Sequence, residues 1–224
     1  MDSSARGPAC DLVLPCRDEG PALRALLPEV PETFRVIVVD NGSTDDTVAV
    51  ALAHGASVVH EPVPGYGAAV HAGIEAATAP YVAVMDGDGS FDPHELPRLL
   101  APIVAGELDL ALGRRRPVAR GVWPWHARLG NGLAVRILRR SGFPAHDVAP
   151  VRVCRRADLL ALGVADRRFG YPVELLRKAH GAGWRLGEYD VTYRPRAAGT
   201  RSKVSGSLRG TVRTARDFWK VLAA

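Results

Sequence analysis

Short apolar runs and amphipathic stretches alternate along the first half of the chain. The runs are rich in valine and leucine and have the length of buried strands, whereas the stretches between them carry apolar residues at helical spacing. This alternation is typical of βαβ units and predicts an α/β fold, a mostly parallel sheet with helices on both faces. The runs are DLVLPC, RVIVVD, SVVHE, YVAVMD and LDLALG, and the helical stretches include DDTVAVALAHG and PHELPRLLAPIVAG.

The pattern changes after Gly113. The stretch 114–140 predicts a basic loop followed by a helix, and VRVCRR and GWRLGEYDVTYRP predict two later strands. In 206–224, apolar residues recur at helical spacing with arginine and lysine between them. This last segment predicts a basic amphipathic helix that either docks on the core or lies on an anionic membrane surface.

The composition is that of a globular protein, since 47% of the 224 residues are hydrophobic. No apolar stretch approaches the roughly 20 residues that cross a bilayer, and MDSSARGPAC lacks the apolar region of a signal peptide. Cys10, Cys16 and Cys154 show neither a paired framework nor metal-ligand spacing. We therefore expect a cytoplasmic protein with core thiols.

The net charge of +5 is unevenly distributed along the chain. Acidic residues are concentrated in 1–110, whereas 114–128 and 194–220 are basic. This asymmetry predicts an anionic partner. We do not expect nucleic acid, because no recognition motif accompanies the charge. Trp123 and Trp125, beside the first basic segment, belong either to the core or to a lipid-contacting loop, and we expect the core.

The stretch YVAVMDGDGSFDP places Asp86 and Asp88 where a buried strand ends. In an open parallel sheet, ligands bind beyond the carboxyl ends of the strands, and residues two apart face the same side. Two carboxylates there repel each other unless a cation lies between them. Magnesium is usually bound by one or two carboxylates and substrate phosphates, so the pair predicts a divalent metal site. Asp92, before Pro93, is interpreted as a helix cap.

A second strand, in VIVVDNGSTDDT, also ends in a carboxylate, that of Asp40. Ser43 or Thr44 is expected to cap the helix that follows. The cap does not account for Asp40, which is predicted to point into the same crevice as Asp86. There it would accept a hydrogen bond from a ribose hydroxyl or a base edge.

Gly65 and Gly67 follow a strand and open a helix, as in half of a dinucleotide-binding fingerprint. This match supports an alternative function, that of a nicotinamide-dependent oxidoreductase. However, Val70 occupies the third glycine position, and the motif follows the third strand rather than the first. Close helix packing explains the glycines better, although Gly67 is retained as a candidate nucleotide-binding residue.

Four motifs, LPCRDEG, VIVVDNGSTDDT, GYGAAVHAGIEAA and VMDGDGSFDP, resemble in order and spacing those of family 2 glycosyltransferases. The later stretches GRRR, WPWHARLGN, HDVAPVRVCRR, FGYPVELLRKAHGAGWR and VTYRPRAAGTRSKVSG resemble the branch with dolichyl- and polyprenyl-phosphate sugar transferases. The resemblance implies the GT-A nucleotide-sugar-binding fold and one domain over 1–224. Within it, about 10–113 would bind the nucleotide sugar and about 114–205 the acceptor, followed by the helix over 206–224.

The resemblance also implies roles for individual residues. Asp86 and Asp88 match the DxD motif, which holds Mg²⁺ or Mn²⁺ and the ribose. Arg115 and Arg128 would surround the diphosphate and an acceptor phosphate, and Glu174 lies where the family often has an acid near the acceptor. The nucleotide pocket would include Pro15, Arg17, Glu19, Asp40 and Asn41, and the phosphate surroundings Arg196, Ser202 and Lys203.

The acceptor is left open between two chemistries. A lipid phosphate is largely ionised at neutral pH and needs no strong base, so Glu174 would only position it. A hydroxyl needs a base, and Glu174 is then the leading candidate. A surface pair of Glu174 with Arg177 or Lys178 explains this acid equally well.

Asn41 replaces an aspartate that is common in the family, and Ser90 replaces a frequent glutamine. An asparagine offers one acceptor and one donor, which match uracil better than guanine, so we expect uridine-diphosphate sugars over guanosine-diphosphate sugars. The family resemblance implies transfer with inversion at the anomeric carbon. A catalytically silent nucleotide-sugar-binding protein is the alternative, and peripheral contact with the inner face of the membrane is a further expectation.

Overall fold

A sheet of seven strands forms the centre of the computed structural model, which describes residues 9–140 and 142–197. The strands are β1 (Cys10–Cys16), β2 (Phe34–Asp40), β3 (Ser57–His60), β4 (Tyr81–Val84), β5 (Leu110–Pro117), β6 (Val151–Arg155) and β7 (Leu186–Tyr193). The helices are α1 (Gly20–Leu26), α2 (Thr47–Ala53), α3 (Tyr66–Ala76), α4 (Leu96–Val104), α5 (Trp125–Arg140), α6 (Arg156–Ala161) and α7 (Tyr171–Gly181). Single 3₁₀ turns cover Leu27–Glu29 and Pro93–Glu95.

The strand order is β3-β2-β1-β4-β6-β5-β7. β1 is parallel to β2 and β4, β2 is parallel to β3, and β5 is parallel to β7. Only β6 runs antiparallel to its neighbours in this sheet, so the prediction of a mostly parallel sheet is confirmed. Because β2 and β4 lie on opposite sides of β1, the switch point of the topology lies between β1 and β4.

The two faces of the sheet bury two separate hydrophobic clusters, because successive strand residues point to opposite sides. In β1, Val13 belongs to the cluster under α3, α5 and α7, whereas Leu12 and Leu14 belong to the cluster under α1, α2 and α4. Helices therefore cover both faces, as the sequence predicts. The thiols of Cys10, Cys16 and Cys154 are free and buried, which confirms them as core residues.

The loop after β2 differs from the prediction of a capped helix. α2 begins at Thr47, and neither Ser43 nor Thr44 caps it. Ser43 Oγ instead accepts from the Asp18 backbone N–H at 3.0 Å, and the Thr44 N–H donates to Asp18 Oδ1 at 2.7 Å. The loops after β1 and β2 are thus joined at the carboxyl edge of the sheet, which fixes one wall of the crevice.

The arginine run 114–116 is also corrected, because it extends β5 instead of forming a basic loop. Arg114 Nε lies 2.6 Å from one carboxylate oxygen of Asp190 on β7, and Arg116 Nε lies 2.7 Å from the other. Opposite charges on neighbouring strands favour pairing. The interpretation of Asp92 as a cap is confirmed, since its side chain accepts from the His94 N–H at 3.0 Å.

Some sequence predictions lie outside the described residues. These are the helix over 206–224 and the phosphate-binding roles of Ser202 and Lys203. Among the helices within 9–140 and 142–197, none is long and apolar enough to cross a bilayer.

Candidate functional site

A cavity of about 340 Å³ opens at the carboxyl ends of β1 and β4, at the switch point of the sheet. Pockets of this size hold small ligands, and open α/β sheets bind ligands at this point of the topology. Its lining includes three acids and three arginines. Seven of the predicted residues line the cavity, namely Pro15, Arg17, Glu19, Asn41, Asp86, Asp88 and Arg196. The lining also includes Pro64, Gly65, Tyr66, Arg168 and Phe169.

Two glycines shape the loop that carries the paired carboxylates. A Cβ at Gly87 would lie 2.5 Å from the Cys16 sulfur, so only glycine lets this loop approach the end of β1. Gly89 has φ +75°, in the left-handed region that favours glycine. With these turns, Asp86 and Asp88 both face the cavity just beyond β4.

Asp88 is buried and is held on both oxygens. Oδ1 accepts from the Ser90 N–H at 2.9 Å, and Oδ2 lies 2.8 Å from Nη1 of Arg196. The backbone after β7 follows the same loop, because the Ala197 N–H donates to the Asp88 carbonyl at 3.0 Å. We call residues 194–197 the C-terminal arm. It brings a guanidinium to the metal-binding position that the sequence predicts.

Asp86 differs from Asp88 in having no hydrogen-bond or ion-pair partner among the described residues. Burial, followed by the charge of Asp88, raises the pKa of Asp86 to about 6, although Arg196 and Arg115 act in the opposite direction. Burial and the neighbouring charge of Asp88 both disfavour the ionised form of Asp86. A cation bound between the two carboxylates would offset their repulsion.

The donor set fits a hard divalent cation that also contacts a ligand. Within the described residues, no group of three or more histidine, cysteine, aspartate and glutamate side chains could hold a metal. Asp86 and Asp88 would supply two carboxylates, and the remaining oxygens would have to come from water or a bound phosphate. This is the usual arrangement for Mg²⁺ with phosphorylated substrates.

Asp40 does not line the cavity, contrary to the prediction. It is buried at the end of β2, where Oδ1 accepts from the Ser43 N–H at 3.0 Å and Oδ2 lies 3.3 Å from Nδ1 of His60. Its role in this structure is to hold the loop after β2.

Asn41 lines the cavity but uses most of its amide for structure. Nδ2 donates to the carbonyls of Glu61 and Val63, both at 2.8 Å, and Oδ1 accepts from the Gly65 N–H at 2.9 Å. Both amide hydrogens are therefore engaged. Only the carbonyl oxygen keeps a lone pair for a ligand.

Gly67 packs against protein rather than lining the cavity. A Cβ on it would lie 2.7 Å from the Asp166 carbonyl, and one on Gly65 would lie 2.2 Å from the Arg167 carbonyl. These glycines let the loop 164–170 close over α3 and bring Arg168 and Phe169 to the cavity. The alternative of a dinucleotide fingerprint is therefore wrong. The glycines signal a close approach, but the sequence does not indicate which segment approaches.

Glu174 lies at the start of α7 and does not line the cavity, so the structure does not bring it to the paired carboxylates, and its role near the acceptor stays a prediction. Its two oxygens accept from the N–H groups of Ala165 and Asp166 at 3.0 and 2.6 Å, and Lys178 Nζ is 3.2 Å away. Burial would raise the pKa of Glu174, but these donors outweigh it and lower the pKa. Glu174 holds the loop that carries Arg168.

Arg115 is held beside the cavity by a network that sequence reasoning missed. Its Nε and Nη2 donate to buried Asp147 at 2.9 and 2.6 Å, and Nη2 also donates to Asn131 Oδ1 at 3.1 Å. The guanidinium stacks 3.9 Å above the ring of Trp123. Arg115 does not line the cavity, although its charge opposes the rise in the pKa of Asp86.

Arg128 is exposed on α5, forms no ion pair within the described residues and does not line the cavity. The structure therefore does not bring it to the predicted phosphate site. A different arginine, Arg152 on β6, is buried behind the cavity within 3.4 Å of the Tyr66 hydroxyl. Its charge opposes the rise in the pKa of Asp86. In the sequence, VRVCRR reads only as a strand with solvated ends.

An open α/β sheet with paired carboxylates in a cavity at its switch point has the architecture of a ligand-binding α/β protein. The chain belongs to Glycosyl transferase family 2, whose sequence model matches residues 11–160. It is a glycosyltransferase, as the motifs predict.

Relatives support the family over most of the chain. An uncharacterized glycosyltransferase of Mycobacterium tuberculosis is 56% identical over 97% of this chain and 99% of its own length. Polyprenol monophosphomannose synthase of Mycolicibacterium smegmatis is 34% identical over 77% of this chain and 71% of its own. Dolichyl-phosphate hexose transferase of Haloferax volcanii is 31% identical over 74% and 72%.

Solved structures support the GT-A fold. Glucosyl-3-phosphoglycerate synthase from M. tuberculosis, in complex with Mn²⁺, uridine diphosphate and glucosyl-3-phosphoglycerate, superposes with a TM-score of 0.73 at 22% identity. The match covers 96% of this chain and 79% of the synthase.

Proposed function

We propose that this chain transfers a hexose from a nucleoside-diphosphate sugar to a polyprenyl phosphate, with inversion and with Mg²⁺ or Mn²⁺ as cofactor. The observation that carries the proposal is the carboxylate pair in the cavity, where Asp86 has no partner among the described residues and Asp88 pairs with Arg196. About 10–113 would bind the donor and about 114–205 the acceptor. Mn²⁺ and uridine diphosphate in the structure of glucosyl-3-phosphoglycerate synthase support this choice of ligands.

The residues of the cavity suit the departure of a diphosphate. A bound cation held by Asp86 and Asp88 would withdraw charge from the phosphate oxygens as the bond from sugar to phosphate breaks. Arg17 and Arg168 line the same cavity and are exposed, so their guanidinium groups can contact phosphate bidentately. Positive groups at this position stabilise the charge that grows on the leaving group.

The bonding of Glu174 favours an acceptor that needs no base. Its carboxylate accepts from two backbone N–H groups and Lys178, and it lies outside the cavity lining. A phosphate is largely ionised at neutral pH and attacks without proton removal. The names of polyprenol monophosphomannose synthase and dolichyl-phosphate hexose transferase support a lipid phosphate, since both relatives exceed 30% identity. The chain would then work on the cytoplasmic face of a membrane.

The choice of uridine over guanosine rests on one atom. The Asn41 carbonyl keeps a lone pair and would accept from the ring N–H of uracil. For the Asn41 amide to donate to a uracil carbonyl as well, Nδ2 would have to release the carbonyl of Glu61 or Val63. A guanine amino group left unpaired there would lose roughly 1–3 kcal/mol.

The proposal is tested by a transfer assay with purified protein. Uridine- and guanosine-diphosphate hexoses are combined with a short-chain polyprenyl phosphate, 3-phosphoglycerate or buffer, each with Mg²⁺, Mn²⁺ or EDTA. We expect metal-dependent transfer from a uridine-diphosphate hexose to the polyprenyl phosphate, with opposite anomeric configuration in the product by NMR.

The Asp86→Asn variant, purified in the same way, controls for contaminating enzymes. Transfer to 3-phosphoglycerate but not to polyprenyl phosphate would reject the lipid acceptor. Transfer that persists in EDTA would reject the metal, and binding of donor without transfer to either acceptor would reject the proposed acceptor chemistry.

A further inference from the structure

The outward face of α5 carries an apolar stripe. Trp125, Leu129 and Leu133 recur every fourth residue and are 76%, 67% and 51% exposed. The side chains that anchor α5 to the core include Val135 and Leu138. Leu129 and Leu138 are nine residues apart, about two and a half helical turns, so they lie on opposite sides of the helix. The stripe therefore points away from the core, and the expectation that Trp125 is a core residue is wrong.

The same helix is strongly basic. α5 contains Arg128, Arg136, Arg139 and Arg140, all exposed, and it contains no aspartate or glutamate. Arg128, Arg136 and Arg140 form no ion pair with any residue in 9–140 or 142–197. By helical spacing, Arg136 and Arg140 share the outward face with the stripe. A helix with tryptophan and leucine among uncompensated arginines has the character of an interfacial membrane helix.

The remaining large exposed hydrophobic side chains do not form a comparable surface. Leu52 lies on α2, Val104 on α4 and Val63 in the loop after β3, and isolated exposed residues of this kind are common. Val118 lies in the segment that leads from β5 to α5, beside the stripe in sequence. Contiguous exposed apolar surface with a charged border is typical of an interaction site.

We infer that α5 docks the protein on an anionic lipid bilayer, with Trp125, Leu129 and Leu133 in the interface and the arginines on lipid phosphates. Charge complementarity selects this occupant, because a surface without acids favours an anionic partner. The inner side of α5 carries Asn131, which bonds Arg115. Docking would therefore bring the Arg115 network to the membrane surface, where a polyprenyl phosphate lies. This last consequence rests on the proposed function, whereas docking itself does not.

Docking is tested by co-sedimentation of the full chain with vesicles of phosphatidylcholine, with and without phosphatidylglycerol. We expect binding only to the anionic vesicles, weakened by salt. Leu129→Ser with Leu133→Ser should lower the partition coefficient by about tenfold or more, because both leucines lose their apolar contact. Arg136→Gln should lower it by roughly fivefold. Leu52→Ser, a 59% exposed leucine of α2 on the other face of the sheet, is the matched control and should bind normally.

Other outcomes would overturn the inference. Unchanged vesicle binding by the double serine variant would assign membrane contact to another segment. Loss of a dimer by this variant on size exclusion, without an effect on vesicles, would make the face an interface between copies. Donor binding, measured by thermal shift with Mn²⁺ and uridine diphosphate, should be equal in all variants. Vesicle binding without transfer would reject the proposed function alone, and transfer without vesicle binding would reject docking alone.

Discussion

Acids in the two halves of the chain have opposite environments. Asp86 follows β4 and faces the cavity without a partner among the described residues, whereas Asp147 and Glu174 lie in the second half of the chain and bind protein groups. Burial acts in the same direction on Asp86 and Asp147, yet the pKa of Asp86 rises to about 6 and the pKa of Asp147 falls. Arg115 pairs directly with Asp147 and lowers its pKa, whereas the charge of Asp88 adds to burial in raising the pKa of Asp86.

The number of hydrogen-bond donors around a buried carboxylate distinguishes a binding acid from a structural one. A structural carboxylate receives enough donors to offset its loss of water, and Glu174 receives three. Asp86 lacks such donors among the described residues, as expected of a carboxylate that binds a ligand. Three predictions test this distinction, the first at the cavity acid Asp86 and the other two at Asp147 and Glu174, which bind protein groups.

The largest effect is expected at Asp86. Asp86→Asn removes a ligand of the proposed metal and should lower transfer by about 100- to 1,000-fold, the range for loss of one group that stabilises developing charge. Because the change also removes repulsion with Asp88, unfolding by urea without metal should show equal or greater stability. The control is Asp109→Asn, because Asp109 directly precedes β5 and pairs with Arg185. A variant that loses both activity and stability would assign Asp86 to structure and contradict the comparison.

Asp147→Asn should lower the stability of the fold, in contrast to Asp86→Asn. The variant leaves Arg115 without its buried counter-charge, and we expect about 2–3 kcal/mol of stability to be lost at pH 7, slightly less than for a fully buried pair. The lowered pKa means that Asp147 contributes stability above its unfolded value of about 3.9 and loses it as pH falls through the folded value. The difference between wild type and variant in urea unfolding should therefore shrink below about pH 4.

Asp190→Asn provides the matched control for this pair. Asp190 bonds both Arg114 and Arg116 but is 46% exposed, so its loss should cost less than about 1 kcal/mol. Equal losses in the two variants would show that burial of Asp147 does not determine its contribution.

The smallest of the three effects is expected for Glu174→Gln. In the variant, an amide NH₂ would replace one of the two oxygens that accept from backbone N–H groups, so one hydrogen bond would be lost. We expect the free energy of unfolding to fall by about 1–2 kcal/mol. Through the loop 164–170, KM for the donor should rise while kcat and its pH profile stay close to wild type. If kcat falls and its acid limb disappears, Glu174 is a base and the acceptor is a hydroxyl.

The sheet and the acidic side of the cavity could be predicted because both depend on local sequence. Strand periodicity and the rule that ligands bind at the carboxyl ends of parallel strands together indicate that Asp86 and Asp88 lie beside the end of β1. The environment of Glu174 could not be predicted, since it depends on which distant N–H groups its oxygens reach. The same holds for Gly67, whose partner is a loop about 100 residues later in the chain.

Under the proposed function, the contact between the C-terminal arm and the loop of Asp88 would make donor binding an exchange of counter-ions. Arg196 pairs with Oδ2 of Asp88, so a cation bound there would gain only the difference between the two interactions. With a diphosphate bound beside the cation, the displaced guanidinium of Arg196 would contact phosphate oxygens within the same cavity. Metal and nucleotide would then bind cooperatively, each weakly alone, and the position of the arm would report whether the donor is present.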